Sequence, residues 1–138
     1  MASGKSTYWD NKILDALFRQ VALPALSNVY AALMTTTPGA GNTGVELSIA
    51  GYARVAVPTN NSNWPAGSAG QVSNTLQITF PVVSGAGPSP TVVAIALYDA
   101  STSGNLLYWC DLASQYQKTY SANDQPIIPA AALTVTEA

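Results

Sequence analysis

The sequence predicts a mainly β, single-domain antiparallel β-sandwich of jelly-roll-like character with one N-terminal amphipathic helix. Three observations carry that prediction. Apolar residues follow clear helical spacing only near the start, between Trp9 and Val21. From Asn28 onward, short runs rich in β-branched and aromatic residues alternate with Gly-, Pro-, Asn- and Ser-rich breaks, as in all-β domains. Two of these runs, residues 92–98 and 106–112, flank the polar segment 99–105, which Asp99, Gly104 and Asn105 equip to turn the chain back on itself.

Taken in order, residues 1–7 are expected to form a flexible N-terminal arm, and residues 8–138 one domain whose helix spans 8–22. Ser6 or Thr7 supplies the helix cap, with Asp10 in the place of a capping-box glutamate. Trp9, Ile13, Leu14, Leu17, Phe18 and Val21 share one face, expected to pack on the sheet of the same domain, with docking on a partner subunit as the alternative. Residues 28–35 read as a strand, 38–44 as a loop, and 51–57 as a half-buried strand closed by Pro58. The stretch 59–70 is turn-rich and has Trp64 at its middle. Residues 71–81 alternate as one strand, a second loop covers 84–90, and the hairpin 91–112 forms the core, since 92–97 is apolar on both faces. A polar edge strand at 116–120 and a last strand at 132–136 complete about seven or eight strands.

Charged residues make up only 9% of the 138, and a surface so short of charge predicts a subunit of a larger assembly, in preference to a free monomer. The net charge of −2 offers no general attraction to nucleic acid or to an anionic membrane. The longest apolar region, 21–34, is too short to span a bilayer and is interrupted by Pro24, Ser27 and Asn28. No secretion signal is evident at the N-terminus, so assembly in a bacterial cytoplasm is expected.

The motifs that could carry chemistry fall away. Gly4-Lys5-Ser6-Thr7 ends like a phosphate-binding loop, but lacks the earlier glycine and the preceding strand. Without histidine, Ser-His-Asp and Cys-His catalysis and His-based metal sites are excluded. Cys110 is the single cysteine and reads as an inert thiol in an apolar run. Asp99 and Asp111 are the one carboxylate pair the hairpin could bring together, and both are explained as local structure. Trp64 is read equally as a partner-binding aromatic and as a cap folded back on the core. Asn60-Asn61-Ser62 matches a glycosylation acceptor by accident of composition. No enzyme activity, cofactor or metal is expected.

Six segments in fixed order carry a family resemblance. They are Asp10-Asn-Lys-Ile-Leu-Asp-Ala-Leu-Phe18; Val29-Tyr-Ala-Ala-Leu-Met-Thr-Thr-Thr-Pro38; Glu46 with Gly51-Tyr-Ala-Arg-Val-Ala-Val57; Ser73-Asn74 with Ile78-Thr-Phe-Pro81; Ala96-Leu-Tyr-Asp-Ala100 with Gly104-Asn-Leu-Leu-Tyr108; and Pro129-Ala-Ala-Ala-Leu-Thr-Val-Thr136. Over most of its length the chain resembles short virion structural proteins of tailed bacteriophages, often labelled tail-fibre or minor structural proteins.

The resemblance implies a non-enzymatic virion component. Capsid decoration, as a cement protein bridging subunits of the major capsid protein, is favoured because nothing in the chain could build a fibrous shaft. A tail-fibre, tail-tip or baseplate component for host adsorption is the alternative, and a carbohydrate-binding module the second. The expected partners are copies of the chain itself, with a trimer favoured, and other virion proteins. The expected contact residues are Ala2, Ser3, Gly4, Lys5 and Ser6 of the arm, Trp64 and Pro65 of the first polar loop, and Pro88 of the second.

Overall fold

The order of apolar runs dictates the order of strands. In the computed structural model, which describes residues 3–137, the chain forms β1 (Ser3–Lys5), α1 (Thr7–Arg19), β2 (Asn28–Met34), β3 (Val55–Pro58), β4 (Gln71–Ser73), β5 (Ile78–Thr79), β6 (Ala94–Tyr98), β7 (Leu106–Asp111), β8 (Ile127–Ile128) and β9 (Thr134–Thr136). One antiparallel sheet runs β1-β7-β6-β2-β3, and two antiparallel ribbons, β4-β9 and β5-β8, stand apart from it. The expected fold class holds: a β-sandwich with one N-terminal helix.

The hairpin β6-β7 is the centre of the sheet, as its composition requires. Ala94, Ala96 and Tyr98 point to one face and join Ala32, Met34 and Leu106 in one buried cluster. Leu97 points to the other face and joins Ala31, Leu33, Val57, Ile78, Phe80, Ile128 and Leu133, so the ribbon side chains close that face. A bulge at Leu97–Tyr98 shifts the register from Leu97↔Tyr108 to Tyr98↔Leu106. At the tip, the Asp99 carboxylate accepts from the Asn105 backbone N–H at 2.6 Å and from its side-chain amide at 2.8 Å, while Gly104 adopts φ +74°. Asp111 lies at the far end of the hairpin opposite Ala94 and accepts from Thr37 Oγ1 at 2.6 Å. The two carboxylates therefore belong to separate local structures.

Several expectations are corrected. The arm is not flexible along the described residues: Ser3–Lys5 pair with Tyr108, Trp109 and Cys110 and form the sheet's edge strand. Of the two expected caps, Ser6 is the one used, with its Oγ accepting from the Trp9 N–H at 3.1 Å. The helix stops at Arg19, short of residue 22, because Gln20 takes a left-handed φ of 57° and both its N–H and that of Val21 turn back to the Asp15 carbonyl. The run 71–81 is two strands, not one. Buried Asn74 breaks it by donating to the Leu76 and Pro129 carbonyls at 2.8 and 2.9 Å and accepting from the Leu133 N–H at 2.8 Å. Residues 51–54 do not join the ladder, since Gly51 at φ +87° turns the chain and Tyr52 and Arg54 reach back to Glu46. The edge strand at 116–120 is reduced to a 3-10 turn, Ser114–Tyr116, and one bridge between Val92 and Lys118.

The apolar face of α1 is the largest correction. It does not pack on the sheet. No residue of the helix is fully buried, and Leu14, Leu17 and Phe18 are 52%, 69% and 74% exposed. The reason lies in the approach of the chain. Ser6 is tied into the sheet through Leu106 and Leu107, and in the first turn Trp9 bonds to Tyr108 of β7. Beyond that turn Ile13 and Ala16 stay half-buried, while Leu14, Leu17 and Phe18 face solvent.

Candidate assembly surface

Three features lie around the start of the helix: the projecting apolar segment, an apolar groove at its base, and a polar clasp between them. The segment continues beyond α1 through Val21 and Leu23, which are also exposed, and Leu26 is the first residue to turn inward again. On the helix, Asp15 and Arg19 pair one turn apart at 3.0 Å, and the Lys12 ammonium lies over the Tyr8 ring.

The groove has a volume of about 400 Å³ and is lined chiefly by Trp9, Leu26, Val29, Trp64, Val72, Leu97, Leu107, Tyr108 and Val135, with Thr59, Asn60 and Asn61 on its polar side. Trp64 enters it because the polar loop is folded on itself. Asn60 Oδ1 accepts from the Ser62 N–H, the Asn63 N–H and the Asn63 amide at 3.0, 3.0 and 2.9 Å, and the Trp64 N–H closes on the Asn60 carbonyl at 2.9 Å. This Asx-type turn spends the acceptor oxygen of Asn60 inside the loop. The Trp64 indole packs against the core, and its Nε1 is buried without a partner among the described residues. An apolar lining of this kind suits apolar side chains.

The clasp fixes the groove wall. Trp9 Nε1 donates to Tyr108 Oη at 2.9 Å, and Tyr108 Oη donates to Glu137 Oε2 at 2.7 Å. Lys5 reaches Glu137 at 2.5 Å and Asp10 at 3.5 Å. Burial first, and the Glu137 carboxylate second, push the Tyr108 phenol well above its ordinary range, so it stays a protonated donor. Partial burial would raise the Glu137 carboxyl, but hydrogen bonds from Lys5 and Tyr108 and the lysine charge outweigh it and hold the group below its ordinary value. Lys5 of the first strand and Glu137, which follows the last, are thereby joined at one point.

The expected contact residues do not form one surface. Ala2 lies outside the described residues. Ser3, Gly4 and Lys5 flank a second cleft, of about 370 Å³, between β1 and β9. Ser6 is buried, where its Oγ also bonds to Leu106 O, so it is a structural cap. Trp64 lines the groove, Pro65 next to it is exposed, and Pro88 is exposed on another loop that borders neither recess. Sequence reasoning found the helix face but gave it the wrong neighbour. It missed the groove altogether, whose walls come from residues as distant as Trp9, Trp64 and Val135.

No curated protein sequence matches the chain. A family model described as podophage GP4 fiber I protein gp80 matches residues 4–136, from within the edge strand to the end of the last strand. With a match of that extent, the chain belongs to the podophage GP4 fiber I protein family and is a bacteriophage virion structural protein.

Proposed function

We propose that the chain is a non-enzymatic building unit of the phage tail fibre, working through protein–protein contacts made by the projecting face of α1. The single observation that carries this reading is the exposure of Leu14, Leu17, Phe18, Val21 and Leu23 in one continuous segment. A row of apolar side chains with no partner in its own domain is what an assembly contact leaves on an isolated subunit. The family's fibre description gives that contact its setting.

Capsid decoration is the second reading. It is favoured by the short strands and by the 13-residue helix, neither of which makes a fibrous shaft. A carbohydrate-binding role has weaker support, because the groove beside Trp64 is apolar and the Asn60 side-chain oxygen serves its own turn. Copy number separates the first two. Quantitative mass spectrometry of purified virions, normalised to the major capsid protein, is expected to give few copies per particle, with loss of the protein impairing adsorption while heads stay intact. A ratio near one per capsid subunit, with fragile heads on its loss, would instead establish decoration.

A further inference from the structure

We propose that the cleft between β1 and β9 receives a short extended segment of a different virion protein, which adds to the free edge of β1 as a further strand and sets its alternate side chains on the apolar floor beneath. β1 ends the five-stranded sheet and β9 ends its ribbon, and the two do not pair with each other. The Ser6 N–H bonds to the Leu107 carbonyl at 3.0 Å, so ladder alternation puts Gly4 in the next bonded pair and turns the backbone groups of Ser3 and Lys5 outward. On the other side of the cleft, the Glu137 N–H bonds to the Gly70 carbonyl at 2.8 Å and the Leu133 carbonyl accepts from the Asn74 N–H at 3.1 Å. The same alternation turns the backbone groups of Thr134 and Thr136 away from β4. All four residues line the one cleft of about 370 Å³. A row of outward N–H and C=O groups is what an added strand recognises.

The surroundings specify the segment. Ile95, Leu97, Leu133 and Val135 make the floor of the cleft apolar, so every second residue of the segment, the one pointing inward, is apolar as well. A lysine on an edge strand ordinarily guards it against an added strand, but the Lys5 ammonium is drawn to Glu137 and Asp10. With that charge met inside the chain, an uncharged segment is the complementary one. β1 and β9 have three residues each, so the contact is short. The donor is foreign because the chain's own described strands are already paired in their ladders, and its unpaired apolar run, 21–26, is interrupted by Pro24, which has no N–H to give. The edge of β1 is distinct from the helix face, so this contact stands whether or not that face builds the fibre.

The test uses the full chain in assembled virions. A photoreactive benzophenone amino acid in place of exposed Ser3 is expected, on irradiation of purified particles, to cross-link to a different virion protein at one uncharged stretch, located by mass spectrometry of the joined peptides. Ser3→Pro removes an outward N–H and no ladder bond, a change that edge strands tolerate. It is expected to lower incorporation into virions by about tenfold, the scale of one hydrogen bond lost from a displaced strand. The melting temperature of the free variant should stay that of the parent; if it falls, the cross-link decides alone. A cross-link only to a second copy of the chain would give the edge to self-association and overturn the inference. Absence of any cross-link, or a Ser3→Pro chain that folds and enters virions at the parent level, overturns it too. None of these outcomes touches the virion role, which copy number decides separately.

Discussion

The guanidinium of Arg54 lies 3.8 Å from the centre of the Tyr98 ring, at the point where the central hairpin begins to turn. Its Nε and Nη2 hold the Glu46 carboxylate at 2.8 to 3.1 Å, and its Nη1 donates to the Ala100 and Ser103 carbonyls at 2.9 and 2.7 Å. Tyr52 Oη donates to Glu46 at 2.7 Å and accepts from the Leu33 N–H at 3.0 Å. A segment that reads as an alternating strand is thus a bracket. It joins the hairpin tip to β2, and the spacing of Gly51, Tyr52 and Arg54 serves that bracket.

Arg54→Ala is expected to destabilise the fold by about 3–5 kcal/mol, the cost of leaving a largely buried carboxylate without its partner. The Arg54 side chain is 7% exposed and that of Glu46 27%, so water replaces only part of the lost bonding. For a chain of this length the melting temperature should fall by roughly 10 °C or more. Arg54→Lys should recover only part of the loss, because one ammonium cannot reproduce the planar fork that serves a carboxylate and two carbonyls at once. Thermal melts followed by circular dichroism check both; unchanged melting for Arg54→Ala would show that the bracket does not hold the hairpin.

Asn74 is 1% exposed and holds the junction between the two ribbons. Asn74→Ala leaves the Leu76 and Pro129 carbonyls and the Leu133 N–H without that partner, and is expected to cost about 3 kcal/mol or more. Asn74→Asp keeps the shape but sets a carboxylate against two carbonyl oxygens. It should be at least as destabilising at neutral pH and recover partly in acid, where the protonated form can donate again. Urea unfolding at two pH values distinguishes this from a simple loss of packing.

Much of the fold was readable because it follows local rules. The apolar run of β6 demanded cover on both faces, and Asp99 with Gly104 fixed the turn. Three things were not readable, each for a physical reason. Asn74 looks like one polar position in an alternating strand, and only its long-range partners Pro129 and Leu133 show that it ends the ladder. Lys5 and Glu137 are almost the whole chain apart, so no pattern of spacing pairs them. Helical spacing identifies an apolar face on α1 but not what covers it, since the same stripe suits a domain's own sheet and a neighbouring subunit equally.

The clasp predicts a pH dependence. Glu137 has its carboxyl held below the ordinary value in the folded chain, so its stabilisation is fully present above the unfolded value, about 4.3. It is lost as pH falls through the lower, folded value. The stability difference between the parent chain and Glu137→Gln should therefore favour the parent at neutral pH and shrink on acidification below the glutamate range. Lys5, whose ammonium is favoured chiefly by its hydrogen bond to Glu137, stays charged throughout that window. A difference that does not change between neutral and strongly acid pH would remove the charged clasp from the account.

Exposure of the helix face makes the last prediction one of contrast. Leu106 is buried against Met34 and Tyr98, and Leu106→Ala should cost about 3–5 kcal/mol through the cavity it leaves. Leu17→Ser and Phe18→Ser remove as much apolar bulk or more, yet each should change the stability of the isolated subunit by no more than about 0.5 kcal/mol, because those side chains touch solvent rather than core. Denaturation is to be measured over a range of protein concentrations. Any stabilisation that Leu17 and Phe18 contribute should grow with concentration, as mass action requires of a group that acts only when a second subunit is present. A large, concentration-independent loss in either serine variant would place the helix face in the core of its own domain after all.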